Sequence, residues 1–503
     1  MSKALERKMA EAESYEEWKE AAIAHDERNG LQLWKQSDRS LRYDFAAIQR
    51  RLDVLQIMRR ANDNHGMLFT LNEGIHGNLG GMGKSSLYEK AKFGTKDLIV
   101  NYTEEVAAAL EHLAQPRLKG VSLEEKIHFF HRAHLCYGQS ALMFSGSGTY
   151  LFFHIGVLKA LWEQDLLPDV ISGSSGGALI AAVAGSRAKE DLGEIFTPEF
   201  LNLEEEVKMI VRNLAPGKRR NMRRQDLVKI IEKIIPDVTF EEAFQISGLK
   251  INISIAPHEQ HQKSRLLNAI TSPNVMLREA VLASCCIPGV FPPVRLAARD
   301  VKGNKVPYLP NRKWVDGSIS DDLPMKRLSR LYGVNHFIVS QTNPLVLPFI
   351  TAQKSNRGAL STIGQTTLKT MKDWGLAASH LLKRPLRSNE YMSKLLNGYI
   401  SLVSQTYTGD INILPYSQFK NPAMAMASRS PEEVGKMVND GEHATWPMVE
   451  RIRIQTHISR TLNRLIDELD NSVITGRRRA AHPVRKKAKN LKLIKRAEKK
   501  ASA

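Results

Sequence analysis

The spacing of apolar positions changes along the chain, and each change marks an element boundary. From residue 1 to about 137 the spacing is helical: Leu52, Leu55, Ile57 and Met58 form part of one apolar face, and Val106, Leu110 and Leu113 form another. The glycine-rich interval "NEGIHGNLGGMGKSS" interrupts it and predicts a loop. At Ala141 a short apolar run, "ALMF", is followed by "SGSGT" and then by "LFFHIGVLKALWEQ", with Phe152, Ile155, Leu158 and Leu161 at helical spacing. Val170 and Ile171 follow, then a serine-rich turn and a small-residue helix from Gly176. Further strands are predicted at Ile251–Ile255, Lys313–Val315 and His336–Ser340. Strand, turn and helix in alternation predict an α/β domain with a mainly parallel sheet. The division is then 1–137 helical, 138–345 α/β with a polar helical insertion at about 187–245, 346–475 helical, and 476–503 a basic tail.

The turn "DVISGSSGGALIAAVAG" holds three serines, and G-x-S-x-G selects among them. Only Ser175 has glycine at both required positions, Gly173 and Gly177. A nucleophile elbow needs those glycines because the strand-to-helix turn leaves no room for Cβ atoms. The helix that opens at Gly176 adds free N–H groups and a dipole near the developing oxyanion. Upstream, "SGSGT" (Ser145–Thr149) also follows a strand and opens a helix, so its N–H groups are candidate oxyanion donors. Downstream, Asp316 ends a short strand in "WVDGSISDDLP", where its carboxylate can reach a neighbouring strand's loop; alone, an Asp-Gly pair is an ordinary turn.

In this order the three pieces resemble the patatin-like phospholipase family, whose fold is a three-layer α/β sandwich. The phrases "LLNAITSPNV", "VLASCCIPGVF", "VDGSISDDLPMKRLSRLYGVNHFIVSQTNP", "GDINILP" and "GEHATWPMVERIR" look most like its fungal and plant triacylglycerol lipases, which carry an extra helical N-terminal domain. The resemblance covers roughly residues 40 to 455. It implies a Ser-Asp dyad without histidine: Ser175 as nucleophile, Asp316 as base, and Gly146, Ser147, Gly148 and Gly176 as the oxyanion hole. An aspartate of ordinary pKa near 4 is a poor base, so burial has to raise it. The chain departs from the family pattern G-G-G-x-x-G, with Ser147 and Leu151 replacing the second and last glycines. It also has Gly317-Ser318 after the aspartate in place of Gly-Gly or Gly-Ala.

Composition narrows the remaining options. Apolar content of 42% and charge of 25% describe a globular protein, and three cysteines give no disulfide framework, which fits a reducing compartment. The charged N-terminus predicts no secretory signal, and no apolar run is long enough to predict a membrane span. Of the net +19, the tail from Gly476 carries twelve Lys or Arg against one Glu. With the basic knot 218–224, that tail points to peripheral contact with a membrane or lipid-droplet surface from the cytoplasm, or to a solvated basic tail; no specific nucleic-acid reading follows.

Three decoys are set aside. "GNLGGMGKSS" misses a phosphate loop because Asn78 stands where glycine is needed. His128, His131, His134 and Cys136 spread over more than one helical face, so no metal or other cofactor is implied. His154 is read as a packing residue. The expected function is lipid acyl-ester hydrolysis, foremost of triacylglycerol. Phospholipase A, lysophospholipase or lipid acyltransferase chemistry is the alternative, and a non-catalytic membrane-associated protein the third reading.

Overall fold

A computed structural model describes residues 2–201, 224–259, 262–288, 291–344, 346, 347, 350, 407–416 and 431–501. The chain divides into two compact units, one of residues 1–25 and 139–452, the other of residues 26–138 and 453–503.

The larger unit is built on a seven-stranded sheet. Its strands are β1 (Gln139–Phe144), β2 (Val170–Gly173), β3 (Lys250–Pro257), β4 (Arg265–Leu267), β7 (Trp314–Asp316), β8 (Val334–Ser340) and β9 (Ile411–Ile413); β5 (Leu296–Arg299) and β6 (Lys305–Tyr308) form a separate hairpin. The order is β4-β3-β2-β1-β8-β9, with β7 also paired to β3. The pairs β1–β2, β1–β8, β2–β3 and β8–β9 are parallel, whereas β4 and β7 run antiparallel to β3. β1 and β2 are apolar runs because both faces of a parallel sheet are covered by helices. Ala141 and Met143 pack with Leu328 of the helix Met325–Tyr332, while the alternating Phe144 meets the ring of His154 on the helix Leu151–Glu163 at 5.1 Å. That is the expected three-layer arrangement.

The sequence reading missed β4, the β5–β6 hairpin and β9. β4 and β9 are only three residues each, too short for a two-residue period to show. β9 also places a strand inside the region 346–475, for which the sequence predicts helix. Residues 351–406 of that region lie outside the described residues, as does 202–223 of the insertion, which holds most of the basic knot.

The smaller unit is helical. Its helices include Phe45–Ala61, Asn64–Gly74, Asp97–Ala114 and Leu123–Tyr137. Their ends are set locally: Asp44 and Asp63 cap N-termini by accepting the N–H groups of Ala47 and Gly66, and Ser122 with Glu125 forms a capping box. Leu52, Leu55, Val106, Leu110 and Leu113 lie in its core, whereas Ile57 is 65% exposed. The same core receives Ile454, Ile458, Leu462, Leu465 and Leu469 from the last helix, Pro431–Ala501. Full burial of such a side chain is worth about 1.5–3 kcal/mol, so five of them tie this segment to helices more than 300 residues earlier (Tyr137 Oη donating to the Gln455 carbonyl spans 318). The chain changes units within this helix, at Ile452. Texture along the sequence cannot reveal that pairing.

Candidate active site

Sheet register brings the elbow and the aspartate together. Gly173, the last residue of β2, pairs with Ile253 on β3; two residues further along β3, Ile255 pairs with Asp316 of β7. Asp316 therefore stands one strand over from the turn that β2 feeds. Ser175 sits on that turn with φ 52° and ψ −123°, a conformation that L-residues rarely adopt. The flanking glycines are forced by contact. A Cβ on Gly173 would lie 2.3 Å from the Gly177 carbonyl oxygen, and one on Gly177 would lie 2.4 Å from that of Phe144.

The Ser175 hydroxyl stands by the Asp316 carboxylate and favours its ionised form, and both residues are buried, at 7% and 2% exposure. Burial pushes the Asp316 pKa up to about 6, partly opposed by the N–H of Ser318 at 2.8 Å, by the Ser318 hydroxyl and by the Ser175 hydroxyl. The carboxyl is thus a better base than a solvated aspartate, yet still ionised at neutral pH. The Ser175 N–H donates to Ser284 Oγ (2.9 Å), which in turn donates to the Ser254 carbonyl on β3 (2.8 Å). The Cys285 thiol donates to the Ser175 carbonyl at 3.5 Å. Ser174 is the turn-shaping serine, its hydroxyl donating to the Asp322 carbonyl (3.0 Å); Ser172 Oγ has no hydrogen-bond partner among the described residues.

The turn after β1 resolves the question of the missing glycines. Ser147 has φ −134°, open to any side chain, and Leu151 has φ −55° in the helical region. Gly148 has φ 55°, the position where glycine is needed. A Cβ on Gly176 would lie 2.1 Å from Ser147 Oγ, so the first residue of the elbow helix abuts the turn. No bond from the N–H of Ser147, Gly148 or Gly176 to another described residue is present. The expected fourth donor behaves differently. The Gly146 N–H donates to Asp322 Oδ1 at 2.8 Å and is not a free donor.

His154 is fully buried and takes no part in a triad. Ser340 Oγ lies 2.7 Å from its Nδ1; the Ser145 carbonyl and Thr342 Oγ1 lie 3.1 and 3.0 Å from its Nε2. Burial drives its pKa down to about 3, so the ring stays neutral and pins the start of the turn to the end of β8. In the smaller unit, His131 stands 3.4 Å from Asp470, and no group of three or more His, Cys, Asp or Glu among the described residues is placed to hold a metal.

Motif reading does not mark Ser284, Asp322 or Asn343. Each lies in a phrase that carries the family resemblance ("VLASCCIPGVF", "VDGSISDDLP", "SQTNP"), but no spacing rule singles it out.

Comparison with known proteins agrees with this fold. A family model described as patatin-like phospholipase matches residues 142–328, and one described as a domain of unknown function (DUF3336) matches residues 1–135. The chain is 32% identical to triacylglycerol lipase ptl3 of Schizosaccharomyces pombe, over 92% of this chain and 98% of that protein. It is 34% identical to triacylglycerol lipase 4 of Saccharomyces cerevisiae, over 88% of this chain and 50% of that one. It is 31% identical to triacylglycerol lipase SDP1L of Arabidopsis thaliana, over 92% and 58%.

Proposed function

The chain belongs to the patatin-like phospholipase family of lipid ester hydrolases, and from that premise we propose that Ser175 and Asp316 are its catalytic dyad and triacylglycerol its substrate. The observation that carries the reading is the sheet register that sets the buried Ser175 elbow one strand from Asp316, a buried carboxylate whose pKa burial has raised. Ser175 Oγ attacks the ester carbonyl while Asp316 takes its proton. The oxyanion of the tetrahedral intermediate is met by the N–H groups of Ser147, Gly148 and Gly176. Collapse expels the alcohol, which leaves with the proton from Asp316. Asp316 then activates a water that hydrolyses the acyl-serine and frees the fatty acid. No metal or cofactor enters any step.

The triacylglycerol assignment is supported by the names of the relatives. Phospholipid is the second reading, favoured by the basic knot 218–224 and the basic tail 476–503, which suit an anionic lipid surface. Among the described residues no helix is long and apolar enough to cross a membrane, so contact with lipid is proposed to be peripheral.

The test is fluorophosphonate labelling and ester hydrolysis by wild type, Ser175→Ala and Asp316→Asn. Wild type should label and turn over; the alanine variant should do neither. Full activity in either folded variant overturns the dyad. Product analysis on mixed emulsions of triacylglycerol and phospholipid settles the substrate: fatty acid released only from phospholipid sinks the first assignment.

A further inference from the structure

Asp322 is a carboxylate that the proposed chemistry does not use, buried to 1% exposure at the junction of three loops of the site. Its Oδ1 accepts the Gly146 N–H (2.8 Å) and its Oδ2 accepts the Asn343 side-chain amide (3.0 Å). Its own carbonyl accepts the Ser174 hydroxyl (3.0 Å), one residue before the nucleophile. One residue therefore joins the turn after β1, the elbow after β2 and the segment after β8.

Burying an acid is costly unless its lone pairs are met, so a neutral residue would hold this junction more cheaply if all it did was fill space. Two N–H donors converge on the side chain from opposite sides. A carboxylate accepts from both at once, whereas an amide would turn an NH2 toward one of them. Burial, reinforced by Asp316 and Asp321, pushes its pKa up to about 7 against the two hydrogen bonds. The bonds thus hold a charge in a place that disfavours it.

We propose that Asp322 is a positioning residue for the oxyanion turn, fixing the Ser145–Gly146 peptide through the Gly146 N–H so that the next two N–H groups, of Ser147 and Gly148, face the substrate oxygen. The neighbouring bonds fit this role. Thr342 N–H donates to Ser145 Oγ at 2.9 Å, so Ser145 and Gly146 are each gripped from the far side. A Cβ on Gly146 would fall 2.9 Å from Ser318 Cβ, so the turn packs closely against the dyad loop and position 146 leaves no room for a side chain. The Gly146 N–H is given up as an oxyanion donor in order to aim the two that follow.

The inference rests on the reading of Ser175 as nucleophile, and the experiment separates the two. The full chain is assayed with a p-nitrophenyl ester for kcat and KM, and with a fluorophosphonate for the rate of labelling. Wild type, Asp322→Ala, Asn343→Asp and the double variant Asp322→Asn/Asn343→Asp are compared, with folding followed by circular dichroism. Asp322→Ala should lose about ten- to hundredfold in kcat and in labelling rate, with KM within about twofold, the cost of misplacing groups used in the transition state. Asn343→Asp sets two carboxylates face to face and should lose a similar factor. The double variant exchanges donor and acceptor, keeps an oxygen toward the Gly146 N–H, and should recover to within about fivefold of wild type. Recovery relative to Asn343→Asp cannot come from space-filling, since these two variants have nearly the same volume at both 322 and 343. A wild type that neither turns over nor labels at Ser175 defeats the nucleophile reading. An active wild type with a folded Asp322→Ala of unchanged kcat, or with a double variant as poor as Asn343→Asp, defeats the role of Asp322; the second comparison decides if the alanine variant does not fold.

Discussion

The elbow and the oxyanion turn lie side by side and are held by different means. Around Ser175, shape does the holding: the Cβ atoms that Gly173 and Gly177 lack would fall on backbone oxygens of fixed position. Around Ser147, hydrogen bonds do it. Asp322, Thr342 and the neutral ring of His154 secure the residues before the turn, while Ser147 itself has ordinary backbone angles. Contact tolerates no side chain, so the elbow keeps its motif. Hydrogen bonds leave room at the unstrained positions, so the turn departs from the family's glycine pattern and retains glycine at Gly146 and at Gly148, where φ is positive.

Substitutions at the two places should separate accordingly. The largest effect is expected at the elbow. Gly173→Ala places a methyl group 2.3 Å from the Gly177 oxygen, which cannot move without unravelling the start of the helix. It should cost ~3 kcal/mol or more in denaturant unfolding and leave no measurable labelling. A stable, active alanine variant would show that shape is not what holds the elbow.

Next is Asp316→Asn, which removes the base and should lower kcat by about 10²–10⁴. Its stability should move the other way. The folded pKa of about 6 lies above the ordinary 3.8, so the wild-type side chain contributes most below pH 3.8 and loses that contribution as pH rises through 6. The asparagine variant, always neutral, should therefore melt higher than wild type above pH 6, by at most ~3 kcal/mol, with the gain fading below pH 4. Equal melting at pH 8 would mean the carboxylate is not strained by burial.

Within the turn, Gly148→Ala must place an L-residue at φ 55°, a cost of about 1–2 kcal/mol, and should reduce kcat about tenfold. Ser147→Gly, which restores the family glycine at φ −134°, should change kcat less than about threefold. The reverse ranking would contradict the backbone angles.

What was legible beforehand follows the same line. Ser175 could be found from sequence because steric demands write themselves as glycines at fixed spacing. Asp316 needed the family resemblance, since an Asp-Gly pair is common and only the β2–β3–β7 register brings it beside Ser175. Asp322 and Ser284 were not legible. Each acts through hydrogen bonds that reach segments more than 100 residues away in sequence (176 for Asp322 to Gly146, 109 for Ser284 to Ser175), and such bonds impose no local pattern. The parallel core strands were visible as apolar runs, but the assignment of Ile454 to Leu469 to the smaller unit's core was not. An amphipathic helix shows that a face is buried without showing against what.

The smallest effect is expected at Ser318, the one departure from the family pattern that touches the dyad. Its N–H and its hydroxyl both favour the ionised form of Asp316. Ser318→Ala removes the hydroxyl but keeps the N–H, and it keeps the Cβ that bounds Gly146, so the turn should not shift. With one stabilising bond lost, the carboxyl should titrate higher. The acid limb of kcat/KM, set by ionisation of Asp316 near pH 6 in the free enzyme, should then move upward by about half a unit, with the plateau at higher pH nearly unchanged. A downward shift would have the sign wrong for a carboxylate that must be ionised to act. A limb that stays in place while the plateau falls would assign Ser318 to the geometry of the turn and not to the basicity of Asp316.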